Sequence, residues 1–345
     1  MIRFSKIFLG ITVALILMWQ LPWCYSFFTA SPSKSTFCIY STLKGEFVTM
    51  GFDDEKGKLI RVDESGNEYT QEQADSLLPF FYVRQLMADE RFPDTINGVG
   101  ITPREVQVNN FNFRASAQDF NAPKVGLYPL MESLSKRVEL TMPDDVFRIN
   151  SKGMEFVKME TNSIDEQKSE LFTLMLKKKG FVFPATEIAG NPSARKEYDE
   201  GYLILDNEGK LFHVKMTKGR PYVRAIDLPE GLKLKHLFVT EFTNRQTLGY
   251  LTDVDNHFYV LLNKSYEVIK TGVESYDPEK DGLLIFGNMF DWTVRVTTDT
   301  EMCYYALSAD DFSLIRKKVI EDDESSFSIL SFTSYKDKYV KPRFF

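Results

Sequence analysis

From residue 37 onward, apolar positions alternate with polar ones in short runs separated by turn residues. This period of two predicts half-buried β-strands. The clearest runs return at a nearly fixed interval. DNEGKLFHV (206–214) is echoed 47 residues later by DVDNHFYVL (253–261), and 46 residues after that by DTEMCYYAL (299–307). GYLILD (201–206) precedes the first copy and GYLTDVD (249–255) the second. One full period reads LFVTEF, GYLTD, HFYVLL and YEVIK, and the next reads LLIFGNM, WTVRVT, CYYAL and LIRKKV. Four antiparallel strands in roughly 45 residues have the size and content of one propeller blade.

A weaker copy, NSKGMEFVK (150–158), begins 56 residues before the copy at Asp206, and Asp54 lies 96 residues before that. A lone four-stranded sheet cannot cover both of its faces, whereas stacked neighbours can. The pattern therefore predicts a mainly β, propeller-like body of about five to six four-stranded blades, irregular where helices intrude. A meander or sandwich built from regular hairpins is the alternative.

Two segments change period. TQEQADSLLPFFYVRQLMADERFP (70–93) opens with Thr70 and places Gln73 three positions on, a capping-box pattern. Pro79 predicts a break, with a second helix beginning there. In that second helix Phe80, Val83, Leu86 and Met87 share one apolar face. The face is expected to pack on the body; the alternative, a partner-binding face, makes these four residues interaction candidates. IDEQKSELFTLMLKKKG (164–180) is acidic early and lysine-rich late, as the helix dipole favours. Residues 97–126 between the two helical segments are amide-rich and read as loops and edge strands.

The amino terminus has a different pattern. Residues 1–6 carry Arg3 and Lys6, residues 7–28 are mostly apolar, 29–35 form a small polar tether, and 36–345 are the body. As a helix the apolar run would reach ~33 Å, enough for the hydrocarbon layer. Cationic residues before the run keep the first residues cytoplasmic and send the body across. A cleaved signal would need small residues before the cut, and Phe28 and Pro32 interfere. A lipoprotein signal would use Cys24, but bulky Trp23 precedes it. The expectation is an uncleaved single-pass anchor in the inner membrane with an extracytoplasmic, periplasmic body.

Export changes the meaning of the cysteines. Cys24 belongs to the anchor, which leaves Cys38 and Cys303 in an oxidising compartment, 265 residues apart. They can form a disulfide only if the fold joins the chain's ends, as when the first strand of a propeller completes the last blade. Two buried free thiols are the alternative.

Composition and charge exclude more than they assign. A net charge of −7 and no large basic cluster argue against nucleic acid as a partner. The 29 Phe and 16 Tyr favour pleated, half-buried surfaces. The three histidines, His213, His236 and His257, sit in non-matching positions of the repeat and read as solvated or locally satisfied imidazoles. No zinc-protease, nucleophile-elbow, phosphate-loop or dinucleotide motif occurs. The acidic runs at 53–55, 144–145 and 321–324 lack calcium-loop spacing. No catalytic residue, cofactor or metal ligand is assigned.

The basic start, the anchor ending in LPW, the block YTQEQADSLLPFFYVRQL…FPDTINGV and the late GYLTDVDNHFYVL together resemble an uncharacterised family of Bacteroidetes single-pass membrane proteins, a domain-of-unknown-function family. The resemblance runs over nearly the whole chain and carries over no active-site residue. It implies an association with components of ATP-driven (ABC-type) transporters, beside which some members are encoded. The expected function is that of a non-enzymatic, membrane-anchored extracytoplasmic binding or scaffold protein, accessory to such a transporter. The alternative is an extracytoplasmic enzyme acting on glycans, a hydrolase or lyase, which converging carboxylates in a central pocket would favour.

Overall fold

The computed structural model describes residues 2–29, 36–53, 57–134, 139–321, 330–333 and 341–344. The expected tether at 31–35, the acidic turn at 54–56 and most of the run at 321–324 lie outside them. Helix α1 (Ile2–Thr29) contains an apolar stretch, Arg3–Tyr25, with mean hydropathy 1.9 and no part of it buried in the protein. It is long and apolar enough to cross a membrane.

The body begins with β1 (Phe37–Ser41), β2 (Glu46–Asp53) and β3 (Lys58–Val62), a three-stranded antiparallel sheet. A helical block follows. It comprises α2 (Gln71–Leu77), α3 (Val83–Ala88), the short pair β4 (Thr95–Ile96) and β5 (Val99–Gly100), and α4 (Pro103–Asn109). Next come β6 (Phe111–Ala115) and α5 (Ala117–Phe120), then a second three-stranded sheet of β7 (Asp145–Ile149), β8 (Met154–Lys158) and β9 (Ser163–Asp165). Helix α6 (Glu166–Lys178) leads to a four-stranded meander, β10 (Glu187–Gly190), β11 (Tyr202–Leu205), β12 (Leu211–Thr217) and β13 (Arg220–Ile226). The following meander is β14 (Leu234–Val239), β15 (Thr247–Asp253), β16 (Phe258–Leu262) and β17 (Val268–Lys270). The last is β18 (Gly282–Gly287), β19 (Asp291–Thr297), β20 (Glu301–Ser308) and β21 (Leu314–Glu321), and a hairpin of β22 (Leu330–Thr333) and β23 (Lys341–Phe344) completes the described chain.

The five main sheets stack face to face as propeller blades do. Phe147, Phe156 and Phe172 join the β7–β9 sheet and α6 to Tyr202, Phe212 and Val214 of the next sheet. Leu203, Leu205 and Leu211 then meet Leu237, Leu251 and Tyr259. Tyr250, Phe258 and Val260 meet Ile285, Trp292 and Val294. Finally Cys38, Tyr40 and Phe47 pack on Tyr304 and Ala306, so the first sheet in the chain stands beside the last. The architecture is mainly β and propeller-like, with five main sheets among the described residues. The first sheet and the β7–β9 sheet have three strands rather than four, and Tyr128 bridges Phe147 at the open edge of β7.

The recurring turn has a physical cause. At Asp63, Asp206 and Asp253 the residue's own N–H bonds to the carbonyl four positions on. The third residue after each aspartate, Gly66, Gly209 or Asn256, takes positive φ, a conformation glycine and asparagine adopt at low cost. This closes each hairpin in the same register.

β6 adds a fifth strand to the last sheet, antiparallel to β18 with Phe111 opposite Gly287. Its aromatic side chains fill the space between the last two sheets. Phe111 stacks on Phe242 at 4.2 Å and meets Trp292 edge-on at 5.1 Å, while Phe113 meets Tyr250 at 5.0 Å. The segment 97–126 thus supplies the short β5 and the edge strand β6, amid loops. It also holds α4, whose Thr102–Glu105 capping box and Pro103 in the first turn are a helix start hidden among loop-like residues.

Candidate ligand-binding groove

α2 starts at the Thr70–Gln73 capping box and ends where Pro79 forbids another turn. The next helix, α3, begins four residues after Pro79, because residues 79–82 form the turn that reverses the chain. That turn, the loop after β1, the α4–β6 junction and the β18–β19 turn enclose a groove of about 910 Å³. Phe81 forms its lip; it is 40% exposed and edge-on to Tyr82 and Phe286. Arg84, Gln85, Gln107 and Asn112 add exposed polar groups to the wall.

Asp291 lies at the floor, 2% exposed. Its carboxylate accepts from the Thr42 hydroxyl at 2.6 Å and from Asn288 Nδ2 at 3.0 Å. Burial still pushes its pKa up to about 6, because two neutral donors only partly replace water around the charge. Elsewhere in the lining, Asn110 Nδ2 donates to the Phe80 carbonyl at 2.6 Å, while Asn110 Oδ1 is buried without a hydrogen-bond partner. An acceptor, a weakly acidic carboxyl and an aromatic lip in one concave site suit a ligand with both apolar and hydrogen-bonding groups.

Of the candidate partner-binding residues, Phe80 and Val83 line this groove and Leu86 and Met87 do not. Val83 (8% exposed) and Leu86 (0%) are buried in the body, and Phe80 packs on Phe290. Only Met87, 41% exposed, faces outward. On the face expected to pack on the body, Val83 and Leu86 are buried and Met87 is exposed, while Phe81 and Arg84, off that face, are further exposed groups. Sequence periodicity marks which residues are buried and not what they are buried against.

Cys38 and Cys303 are both buried free thiols, so the disulfide considered for them is not formed. The first and last sheets do adjoin, but successive side chains on β20 point to opposite faces. Tyr304 and Ala306 face Cys38, whereas Cys303 faces the β14–β17 sheet.

A second cavity, about 600 Å³, opens where β6, α5, β10 and β14 converge. The carboxylates that line it, Asp119, Glu187 and Glu241, are each engaged, Asp119 by the Ser116 hydroxyl at 2.6 Å. Lys196 Nζ contacts Asp199, Glu241 and the Asn191 carbonyl, each at 2.6 Å. Glu241 also accepts the Glu200 N–H at 2.7 Å. Burial raises the pKa of both Asp199 and Glu241, and the Lys196 charge opposes it. This is a structural ion network with its bonding capacity used. Glu187 is likewise paired with Lys124 at 3.0 Å.

The histidines divide. His213 is fully buried, with Nε2 donating to the Glu200 carbonyl at 2.6 Å and Nδ1 accepting from the Tyr266 hydroxyl at 2.8 Å. Burial lowers its pKa to about 4, so the imidazole is neutral. His257 pairs with Asp253 at 2.8 Å. Both are locally satisfied, as the sequence suggests. His236 departs from that reading, because it is buried and neither ring nitrogen has a hydrogen-bond partner. Two groups among the described residues place three metal-capable side chains together: Asp253, Asp255 and His257, and His236, Asp277 and Glu279.

Residues 37–307 match the family model described as Domain of unknown function (DUF4857), and the chain belongs to that family. None of the curated proteins matches the chain. Among solved structures, the chain is similar to PorZ, a surface component of the type-IX secretion system of Porphyromonas gingivalis, at 12% identity and TM-score 0.28, over 90% of this chain and 31% of that one. It is also similar to the β-propeller domain of Myceliophthora thermophila Cps50 (Swd1), at 11% identity and TM-score 0.30, over 62% of this chain and 61% of that one. A third similarity is to the WD40 domain of SCAP from fission yeast, at 9% identity and TM-score 0.33, over 88% and 78%. The chain thus spans less than two thirds of the first two. At these scores the likenesses carry no argument, and the propeller-like assignment rests on the sheet order and packing.

Proposed function

We propose that this DUF4857 protein is a non-enzymatic binding or scaffold protein, anchored in the inner membrane by α1 with its body in the periplasm. Its ligand is a segment of a membrane-protein partner, seated in the groove between the helical block and the last sheet. The partner class we propose is a component of an ABC-type transporter, on the strength of the sequence resemblance. One observation carries the binding reading: the 910 Å³ groove joins an aromatic lip at Phe81 to the buried Asp291 and the unpartnered Asn110 Oδ1. Among the described lining residues Asp291 is the one carboxylate, whereas glycoside hydrolysis takes a pair.

The test is photo-crosslinking in native membranes. A photoreactive residue replaces Phe81 in one variant and Val254, exposed on the β15–β16 turn outside the groove lining, in another. We expect a discrete adduct from position 81 that is lost when Arg84→Glu is added, and none from position 254. Identical adduct patterns from both positions would refute the groove as the contact site, and an adduct lacking any transporter component would refute the partner class.

A further inference from the structure

His236 sits on β14, where a β-bulge between Leu234 and His236 shifts the register and turns the ring toward the β17–β18 connection. The residue is 6% exposed, the Phe120 ring lies edge-on against it at 4.5 Å, and both ring nitrogens lack a hydrogen-bond partner. An imidazole buried in this state is costly, because a neutral ring normally donates from one nitrogen and accepts at the other. Such an orphan calls for a ligand.

The groups facing it are carboxylates held in place by their own loop. Tyr276, fully buried, anchors that loop. The Asp281 side chain accepts the Asp277 N–H at 2.9 Å, Asp277 Oδ1 accepts the Glu279 N–H at 3.2 Å, and Asn121 Nδ2 donates to the Glu279 carbonyl at 2.8 Å. Glu279 Oε1 then lies 3.5 Å from His236 Nε2, and one donor atom from each of His236, Asp277 and Glu279 falls within 4.8 Å of the others. Two tetrahedral ligands bonded at about 2.1 Å stand about 3.4 Å apart, so the imidazole–glutamate spacing already fits a shared ion.

We propose that His236, Asp277 and Glu279 form a binding site for a divalent transition-metal ion of the zinc class, bridging β14 to the β17–β18 loop. One imidazole with two carboxylates suits Zn²⁺, Co²⁺ or Mn²⁺ better than Ca²⁺ or Mg²⁺, which take oxygen ligands. Glu279 is at the surface, with its side chain 45% exposed, which leaves the remaining coordination position to water. Lys235 and Lys280 lie near the second oxygens of Glu279 and Asp277, at 3.4 and 3.2 Å. They offset the carboxylate charge and should make binding moderate rather than extremely tight.

The other three-residue group provides a contrast. Asp253 Oδ1 already accepts from the Asp255 and His257 backbone, and Oδ2 from the His257 ring and the Tyr259 hydroxyl. That group is a completed turn, with no orphaned nitrogen aimed into it.

The experiment uses full-length protein in detergent, stripped with a chelator, and reads Zn²⁺ uptake by equilibrium dialysis with elemental analysis and Co²⁺ uptake by visible absorption. Wild type and His257→Ala are expected to take up one equivalent with tetrahedral-type cobalt bands. His236→Ala and Glu279→Gln are expected to lose about tenfold or more in affinity, the scale found even for lost outer partners. Glu279 is exposed enough that its amide variant should fold, so it decides the matter if His236→Ala does not. No uptake by wild type, or wild-type affinity in Glu279→Gln, would overturn the site.

Discussion

Asp206 and Asp253 stand at matching turns of adjacent sheets and bond alike, the Oδ1 of each accepting the backbone N–H groups two and four residues on at 2.8–2.9 Å. Asp206 is fully buried, and its Oδ2 also accepts the Val182 N–H at 3.1 Å, which ties the turn to the chain leaving α6. Removing the carboxylate leaves these amides without an acceptor, at about 1–3 kcal/mol for each that water cannot reach. We expect Asp206→Ala to cost at least about 2 kcal/mol, and Asp206→Asn, which keeps one acceptor oxygen, roughly half as much. Urea unfolding followed by tryptophan fluorescence measures both; an alanine variant with the wild-type midpoint would show that the amides find other partners.

That turn is legible in the sequence because its chemistry is local: an aspartate bonding its own backbone, and a residue tolerant of positive φ three positions on. The third copy keeps the spacing with different chemistry, since it is Thr298 Oγ1, and not Asp299, that accepts the Thr300 and Glu301 N–H groups. The helix at Pro103–Asn109 has an equally local signature, masked by the amides around it. The groove is another matter. Asp291 reads like any turn aspartate until the fold buries it and brings Thr42 to it from 249 residues away, and β6 looks like any edge strand until it pairs with β18. The orphaned state of His236 is likewise set by what Phe120 and the 277–279 loop bring to it. Such facts belong to long-range packing, which a pattern of alternation does not encode.

The raised pKa of Asp291 makes a pH dependence of definite sign. Below about pH 4 the carboxyl is protonated in both folded and unfolded chains. Between pH 4 and its folded value of about 6 only the unfolded chain releases the proton, so this group's contribution to stability falls as pH rises. Above 6 the penalty is complete, at about 3 kcal/mol for a shift of roughly two units. Asp291→Asn removes the titration while keeping groups able to meet Thr42 and Asn288. The stability difference between variant and wild type should therefore move in the variant's favour by about 2–3 kcal/mol from pH 4 to pH 7. Denaturant titrations at the two pH values test this; a constant difference would mean that burial does not move the Asp291 pKa away from its unfolded value.

Gly287 controls whether β6 can join the last sheet. A Cβ added there would overlap the Phe111 ring, whose other contacts with Phe242 and Trp292 leave it little room to retreat. Gly287→Ala is expected to loosen β6 while leaving the β14–β17 sheet intact, at a cost of about 1–3 kcal/mol from overpacking. Hydrogen exchange should then accelerate in residues 111–115 well before it does in 247–262. Uniform protection, as in wild type, would show that β6 docking does not depend on that close approach.

Cys38 and Cys303 provide a chemical probe of the stacking order. Cys38 is fully buried, with Sγ 3.3 Å from Thr49 Oγ1, and burial raises the pKa of both thiols. The thiolate is the reactive form, so neither cysteine should be alkylated while the sheets remain packed. We expect a maleimide to leave both unmodified in the native full-length protein. In denaturant both should be modified completely without any reductant, because the facing directions on β20 keep the two sulfurs from bonding. Peptide mass spectrometry distinguishes them from Cys24 in α1. If labelling of the unfolded chain required prior reduction, Cys303 would have to face the first sheet, and Tyr304 and Ala306 could not be the residues that pack on Cys38.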